Sequence, residues 1–101
     1  QGMPGRSQYA AVKAAQIALA RSWASEVAAR GVTVNVVSPT ATATAMLADP
    51  ARVASAPRLP PLGRLIDPRE VAELVAFLLS PAAAAITGQD IPICGGASLP
   101  A

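Results

Sequence analysis

The chain has 101 residues, a formal net charge of +2, and a hydrophobic content of 52%. This composition excludes a disordered polar chain, and the scattered basic residues give no support to nucleic-acid binding. The absence of histidine excludes histidine-based triads, the single Cys94 excludes an intrachain disulfide, and no metal site is predicted. The sequence shows neither a signal peptide nor a bilayer-spanning apolar run, so we expect a cytoplasmic protein.

Alanine supplies much of the apolar content, with 24 residues of this type. Because alanine buries little area, the chain should gain less from apolar burial than its hydrophobic fraction indicates. The opening residues QGMPGRSQ have the composition of a loop. We therefore expect this chain to be part of a longer protein.

The first predicted element is a helix from Ser7 to Arg30, because almost every residue there favours helix. Ser7 is the predicted N-cap, and Gly31 is the glycine that ends the helix. The next residues, VTVNVV from Val32 to Val37, predict a buried parallel strand, since five of the six are β-branched. Ser38-Pro39 is expected to end that strand.

The second half repeats the order of helix and strand. Met46 to Pro61 contains four prolines and is predicted to be an irregular functional loop. A helix is predicted from Asp67 to Leu79, with Asp67 as N-cap, Pro68 first in the helix and Glu70 completing a capping box. A short strand follows from Ile91 to Cys94. This order predicts an α/β fold with two parallel strands, which has little stability without further strands.

Tyr9 and Lys13 lie four residues apart in SQYAAVKAA and therefore share one face of the predicted helix. A nearby cation favours the phenolate, and a phenol in this setting can exchange a proton with an alcohol oxygen. The pair is therefore suited to carbonyl and alcohol chemistry. Taken alone, the same spacing also fits an ordinary solvated helix face.

Four ordered blocks decide between these interpretations. YAAVKAA, GVTVNVVSPTATATAM, PLGRLIDPREVAELVAFLLS and ITGQDIPICGGASL together resemble the C-terminal half of a short-chain dehydrogenase/reductase. The resemblance covers nearly the whole chain and implies the C-terminal portion of a Rossmann-type, doubly wound parallel sheet. Residues 1–101 would then be one incomplete domain, with the N-terminal βα units absent from this chain.

The resemblance also implies roles for individual residues. Tyr9 matches the catalytic acid or base, and Lys13 matches the lysine that favours the ionised tyrosine and hydrogen-bonds the nicotinamide ribose. Pro39 matches the proline of the turn beside the nicotinamide. Thr42 matches a position whose backbone meets the carboxamide, and Thr44 the threonine that contacts the carboxamide or the phosphates. Met46 to Pro61 falls on the variable substrate loop.

Several positions depart from the family pattern. Thr40 stands at the cofactor-binding turn where the family usually has glycine, so the nicotinamide pocket is expected to be reshaped. Cys94 stands where many relatives carry an acid, and is interpreted as a small buried strand residue without thiolate-activating neighbours. The glycine-rich pyrophosphate turn is not in the sequence, and Ser7 is too close to Tyr9 to be the family's catalytic serine.

The leading hypothesis is that this chain is part of an oxidoreductase that uses NAD or NADP to interconvert an alcohol and a ketone. The implied partners are a small-molecule alcohol or ketone and further copies of the full-length protein in a dimer or tetramer, with no nucleic acid or membrane. The isolated chain is expected to be inactive. The alternative is a non-catalytic module that keeps the scaffold for association. An amphipathic surface-binding peptide is excluded because the basic residues do not line one face.

Overall fold

The computed structural model of the protein describes residues 7–40, 42–43 and 59–100. These residues form an α/β arrangement in which helix and strand alternate. In chain order, the elements are α1 (Ser7–Val27), a 3-10 turn (Ala28–Arg30), β1 (Val36–Pro39), α2 (Pro68–Leu78), a second 3-10 turn (Pro81–Ala83) and β2 (Asp90–Ile93).

The end of the first helix is confirmed at Gly31. The backbone of Gly31 is left-handed, with φ of 76°, and its N–H donates to the carbonyl of Ala28 at 2.9 Å. Glycine favours this conformation because it has no Cβ atom. At the other end, Ser7 is itself helical and so is not the predicted N-cap. The last turn tightens from α-helix to 3-10 helix after Val27.

The predicted start of the first strand was wrong. β1 begins at Val36, whereas the sequence predicted a strand from Val32. Side chains supply two of the bonds before this point: Val34 N–H donates to Thr87 Oγ1 at 3.0 Å, and Asn35 Oδ1 accepts from Gln89 N–H at 3.1 Å. The Asn35 side chain also donates to the carbonyl of Ile86 at 3.0 Å. These bonds replace strand pairing, so the segment approaches the sheet without joining its ladder.

The first strand ends at Pro39, within the expected Ser38-Pro39 pair and two residues beyond the predicted Val37. β1 continues through Ser38 and Pro39 and pairs in parallel with β2, with Val36 opposite Asp90 and Pro39 opposite Ile93. Val36 and Thr40 both donate across the ladder, to Gln89 and Ile93 carbonyls respectively. In a strand, the amides of alternate residues point to the same side, so those of Val36 and Thr40 point toward β2 and position 39 points away. The missing N–H of Pro39 therefore removes no hydrogen bond to β2.

The second strand is displaced by one residue from its predicted position. β2 runs from Asp90 to Ile93, and Cys94 follows it. The parallel pairing of the two strands is confirmed. The prediction that β1 is buried on both faces was wrong for these residues, because only Ser38 is buried in it and Pro39 is exposed.

The start of α2 is confirmed residue by residue. The Asp67 side chain accepts from Arg69 N–H at 2.9 Å, and the Glu70 side chain accepts from Asp67 N–H at 2.9 Å. Pro68 occupies the first helical position, where its missing N–H costs nothing. Arg64 adds a two-pronged contact to Glu70, with Nη1–Oε1 at 2.7 Å and Nη2–Oε2 at 3.0 Å. The local sequence therefore determines where this helix begins.

Besides Pro60, few apolar side chains are buried among residues 7–40, 42–43 and 59–100, and most of them are alanines. They are Ala20, Ala24, Ile66 and Ala83. Large apolar side chains lie at the surface instead, including Leu79 at 82% exposure and Val12 at 67%. A groove of about 350 Å³ also runs between β1 and α2, with an apolar lining that includes Val37 and Leu78. In the described part of the chain, no helix has the length and apolarity needed to cross a membrane.

Candidate active site

Tyr9 and Lys13 lie one turn apart near the start of α1. Lys13 is half-buried, whereas Tyr9 is 55% exposed. The less exposed residues of α1 recur at spacings of four and three, which places them on one helix face. They are Lys13, Ile17, Ala20, Ala24 and Val27. Lys13 therefore lies on the packed face of the helix, and Tyr9 precedes it by one turn.

The C-terminal half of α1 rests against the turn that leads into β2. Arg21 Nε donates to the Gly88 carbonyl at 3.3 Å, and Ala24 is only 4% exposed. A Cβ atom placed on Gly88 would lie 3.7 Å from Ala24 Cβ, which is ordinary van der Waals contact. The small alanines let the helix approach this turn closely. The packed face that carries Lys13 is therefore the face turned toward the sheet region.

Pro39, Thr40 and Thr42 lie together at the carboxyl end of β1. Thr40 is exposed and its N–H donates to the Ile93 carbonyl at 3.1 Å. Thr42 is half-buried and forms a parallel bridge with Ile66. The next amide, that of Ala43, donates to the Ile66 carbonyl at 3.0 Å. The structure thus fixes the backbone of both threonines at the sheet edge where open α/β folds bind ligands.

The remaining predicted positions lie on another element or outside the described residues. Thr44 and most of Met46 to Pro61 lie outside the described residues. Tyr9 and Lys13 are carried by α1, a different element from the threonines, so their joint action with Thr40 and Thr42 stays a prediction. In residues 7–40, 42–43 and 59–100, no group of three or more acidic, cysteine or histidine side chains could hold a metal ion.

Cys94 has activating neighbours that sequence reasoning missed. Its Sγ lies 3.2 Å from Ser98 Oγ, and it is half-buried in the turn after β2. The hydrogen bond from Ser98 lowers the pKa of the thiol below its ordinary value of 9.0, with further help from the amides of Gly96 and Ala97. The interpretation that Cys94 lacks such neighbours was wrong, because the turn folds back and brings them to the sulfur.

A second feature that the sequence analysis missed is a side-chain hydrogen bond between the two strands, formed by Ser38, two residues before Thr40. The Ser38 hydroxyl donates to Asp90 Oδ1 at 2.6 Å, and Ser38 is 8% exposed. Nothing in the sequence pairs two residues that are 52 positions apart. The sequence signal for this contact is a polar residue within each apolar strand, which indicates that both need a partner.

Comparison with known proteins places this geometry in a family. A family model described as Enoyl-(Acyl carrier protein) reductase matches residues 1–98. The chain is 50% identical over 98 residues to the 3-oxoacyl-(acyl-carrier-protein) reductase FabG of Vibrio cholerae. It is 45% identical to the FabG of Escherichia coli and 43% identical to that of Thermotoga maritima.

The matches cover most of this chain but a smaller part of each relative. Each alignment includes 94% of this chain but 39% to 40% of the relative. The chain therefore spans about two fifths of the length of the curated relatives it matches. Because the family model matches nearly the whole chain, the protein belongs to the short-chain dehydrogenase/reductase family.

Proposed function

We propose that this chain forms part of an NAD(P)-dependent oxidoreductase that interconverts an alcohol and a ketone. In this proposal Tyr9 and Lys13 are the acid–base pair. The observation that carries it is the position of Lys13 on the packed face of α1, one turn from the exposed Tyr9, in a chain of this family. If Tyr9 and Lys13 had no catalytic role and only belonged to a solvated surface, both side chains would be expected on the solvated face of the helix.

The Tyr9 hydroxyl is proposed to pass a proton to the substrate oxygen during reduction and to take it back during oxidation. With more than half of its surface exposed, Tyr9 is open to a bound molecule. Lys13 is proposed to support this exchange from one helical turn away, where alanines at positions 10, 11, 14 and 15 leave few competing polar groups. A bound nicotinamide dinucleotide would supply or accept the hydride.

The residues at the edge of β1 fit a dinucleotide. Thr40 and Thr42 offer hydroxyl and backbone groups beyond the carboxyl end of a parallel strand, where such cofactors bind. Pro39, Thr40, Thr42 and Thr44 are therefore proposed to hold the nicotinamide end, with Lys13 on the ribose. Thr40 replaces the glycine usual at this turn, so the pocket is proposed to differ in shape from that of other members. Either NAD or NADP is compatible with this set.

The relatives give the first substrate class to test. The matched proteins are named as reductases of 3-oxoacyl groups on acyl carrier protein, so a 3-oxoacyl thioester is the first ketone to assay. The natural polypeptide that carries these residues would be incubated with the thioester and with NADH or NADPH in turn. Oxidation of the cofactor, with one hydroxyacyl product formed for each cofactor consumed, supports the proposal. A polypeptide that oxidises neither cofactor with any ketone in a broad panel would contradict it.

The isolated 101 residues are proposed to be inactive, because they would lack the glycine-rich turn and the catalytic serine of the family. The test titrates the isolated chain with NADH and NADPH and follows quenching of its single Trp23. Weak or absent binding is the expected result. Micromolar binding, or turnover by the isolated chain, would show that these residues suffice.

The second candidate function is a non-catalytic association module. The observation that favours it is a stripe of exposed apolar side chains along α1, formed by Val12, Leu19 and Trp23. These residues lie at helical spacing and would be covered in a homo-oligomer. Oligomer formation and a cytoplasmic location are also part of the main proposal, so only the chemistry separates the two. A protein that oligomerises through this stripe but transfers no hydride would favour the module.

A further inference from the structure

Ser38 is the one polar residue that is buried in the part of the chain that the structure describes. Its hydroxyl donates to Asp90 Oδ1 at 2.6 Å, which is within the short range of a hydroxyl bound to a carboxylate. Burial of a hydroxyl is costly unless the group is hydrogen-bonded, so Ser38 depends on this partner. The arrangement of the two strands that provides Asp90 is therefore favoured by the bond.

The bond runs diagonally across the ladder of β1 and β2. Val36 is directly opposite Asp90, and Ser38 is directly opposite Pro92. The Ser38 hydroxyl thus reaches back along β2 by two positions to find its acceptor. Two residues further along the chain, Thr40 donates its N–H to β2 at 3.1 Å. The bond and the Thr40 contact therefore depend on the same strand register.

The prolines of the two strands oppose a slip by one residue. Pro39 and Pro92 each precede a residue that bonds across the ladder, Thr40 and Ile93 respectively, so their own nitrogens point away from the partner strand. A one-residue slip would turn a proline toward the partner, where it has no N–H to donate. It would also turn the side chains of that strand to the other face of the sheet. One-residue slips are therefore unfavourable without any help from Ser38.

A slip by two residues is not opposed by the prolines, because it leaves the direction of every residue unchanged. A two-residue slip of β1 toward the carboxyl end of β2 would move Ser38 by about 6.6 Å, at about 3.3 Å per residue. It would separate the Ser38 hydroxyl from Asp90 and carry Thr40 the same distance along the sheet. A buried hydroxyl and a half-buried carboxylate would then lose their bond. The Ser38–Asp90 bond therefore opposes the slip that would displace Thr40.

We propose that Ser38 and Asp90 are positioning residues for the cofactor. Their bond holds the carboxyl end of β1 at a fixed place along β2, and with it the backbone of Thr40. The proposed oxidoreductase function, on which this inference rests, places Thr40 against the nicotinamide end of the dinucleotide. Ser38 does not touch the cofactor and acts through Thr40. A binding group that is held in place before the ligand arrives costs less to order, so loss of the bond should weaken cofactor binding.

The test is a double-mutant cycle on the natural polypeptide, with Ser38→Ala, Asp90→Ala and their combination. The Kd values for NADH and NADPH are measured by titration, and the more tightly bound cofactor is used throughout. We expect Ser38→Ala to raise that Kd about fivefold, while the rate of hydride transfer at saturating cofactor stays within about twofold of the wild type. In the Asp90→Ala background, Ser38→Ala should add less than about twofold, because its acceptor is already gone.

The conservative variant Asp90→Asn keeps an acceptor oxygen for the Ser38 hydroxyl. Its cofactor Kd should therefore stay within about twofold of the wild type, although the charge is lost. If Ser38→Ala does not fold, Asp90→Ala breaks the same bond from the less buried side and carries the same expected rise in Kd.

Asn35→Ala is the matched control. Asn35 also makes side-chain hydrogen bonds to the segment around β2, but it lies before the amino end of β1. Its loss should lower the unfolding temperature while the cofactor Kd stays within about twofold of the wild type. Hydrogen exchange gives a second comparison without cofactor: Ser38→Ala should speed exchange of the Thr40 amide more than that of Val36, and Asn35→Ala should do the reverse.

Two outcomes overturn the positioning role alone. A Ser38→Ala protein with a lowered unfolding temperature and a wild-type cofactor Kd would show that the bond serves stability only. Equal rises in Kd for Ser38→Ala and Asn35→Ala would show that any weakening of the sheet has this effect. A wild-type polypeptide that binds neither NADH nor NADPH would instead overturn the proposed function, and the positioning role with it.

Discussion

Ser38 and Asp90 form a 2.6 Å hydrogen bond between the two parallel strands, one residue before the turn at Pro39. Because Ser38 is 8% exposed, its hydroxyl has little access to water as an alternative partner. The bond helps to hold β1 and β2 in their observed register. Thr40, two residues later, then donates its N–H across the same pair of strands, to the Ile93 carbonyl. This cross-strand pair should therefore matter for stability.

We predict that Ser38→Ala lowers the free energy of unfolding by about 1–2 kcal/mol, because the half-buried Asp90 carboxylate loses a donor. Asp90→Asn keeps an acceptor oxygen and should cost less. The free energy of unfolding of both variants is measured by denaturant titration, and Ser25→Ala on the exposed face of α1 serves as the control. A Ser38→Ala protein as stable as the wild type would show that the bond contributes nothing.

The cap of α2 predicts a specific acid dependence. Hydrogen bonding from Arg64, followed by that from the Asp67 backbone, lowers the pKa of Glu70 from 4.5 to about 2. A carboxyl group whose pKa falls on folding stabilises the folded state above its unfolded pKa, and this stabilisation is lost as pH falls toward its folded pKa. The Glu70 contribution should thus be present at pH 6 and decline between about pH 4.5 and pH 2.

Thermal unfolding of Glu70→Gln tests this dependence. The variant should unfold at a lower temperature than the wild type at pH 6, and the difference should shrink as the pH is lowered through that window. Glu73→Gln removes the same charge one turn later, outside the capping box, and controls for general charge effects. A Glu70→Gln difference that is constant with pH would contradict the account of the cap.

Cys94 should react faster with alkylating reagents at neutral pH than an ordinary thiol does. Because the pKa of Cys94 is lowered, chiefly by Ser98, a larger fraction is thiolate below the ordinary value of 9.0. Ser98→Ala should shift the pH midpoint of iodoacetamide labelling upward, and the rates should converge well above pH 9. Mass spectrometry of the labelled protein measures this shift, and an unchanged midpoint would remove Ser98 as its cause.

The parts of the fold that could be predicted from sequence depend on neighbours in the chain. Gly31 ends α1, and Asp67 and Glu70 begin α2, because capping is decided within one helical turn. The Tyr9–Lys13 pair is likewise a local relationship at four-residue spacing. The start of β1 could not be predicted, since it depends on Asn35 bonding to residues 51 and 54 positions away.

The same limit applies to the candidate site. Ser38 and Asp90 become partners only in the observed strand register, which the sequence left open. Contacts between distant segments depend on the fold and are not encoded by neighbours in the chain.

In the proposed function, Tyr9 exchanges a proton with the substrate while Lys13 supports it. Tyr9→Phe in the natural polypeptide keeps the ring and deletes the phenol oxygen. Because Tyr9 is 55% exposed, the variant should stay within about 0.5 kcal/mol of wild-type stability. Trp23→Phe, a second exposed aromatic substitution on α1, is the matched control for activity.

The most direct measurement is the rate of hydride transfer by Tyr9→Phe in a single turnover, with cofactor bound beforehand. We predict a loss of about 100-fold or more, with cofactor Kd and unfolding temperature unchanged and Trp23→Phe near the wild-type rate. A Tyr9→Phe enzyme that transfers hydride at the wild-type rate would contradict the catalytic role of Tyr9.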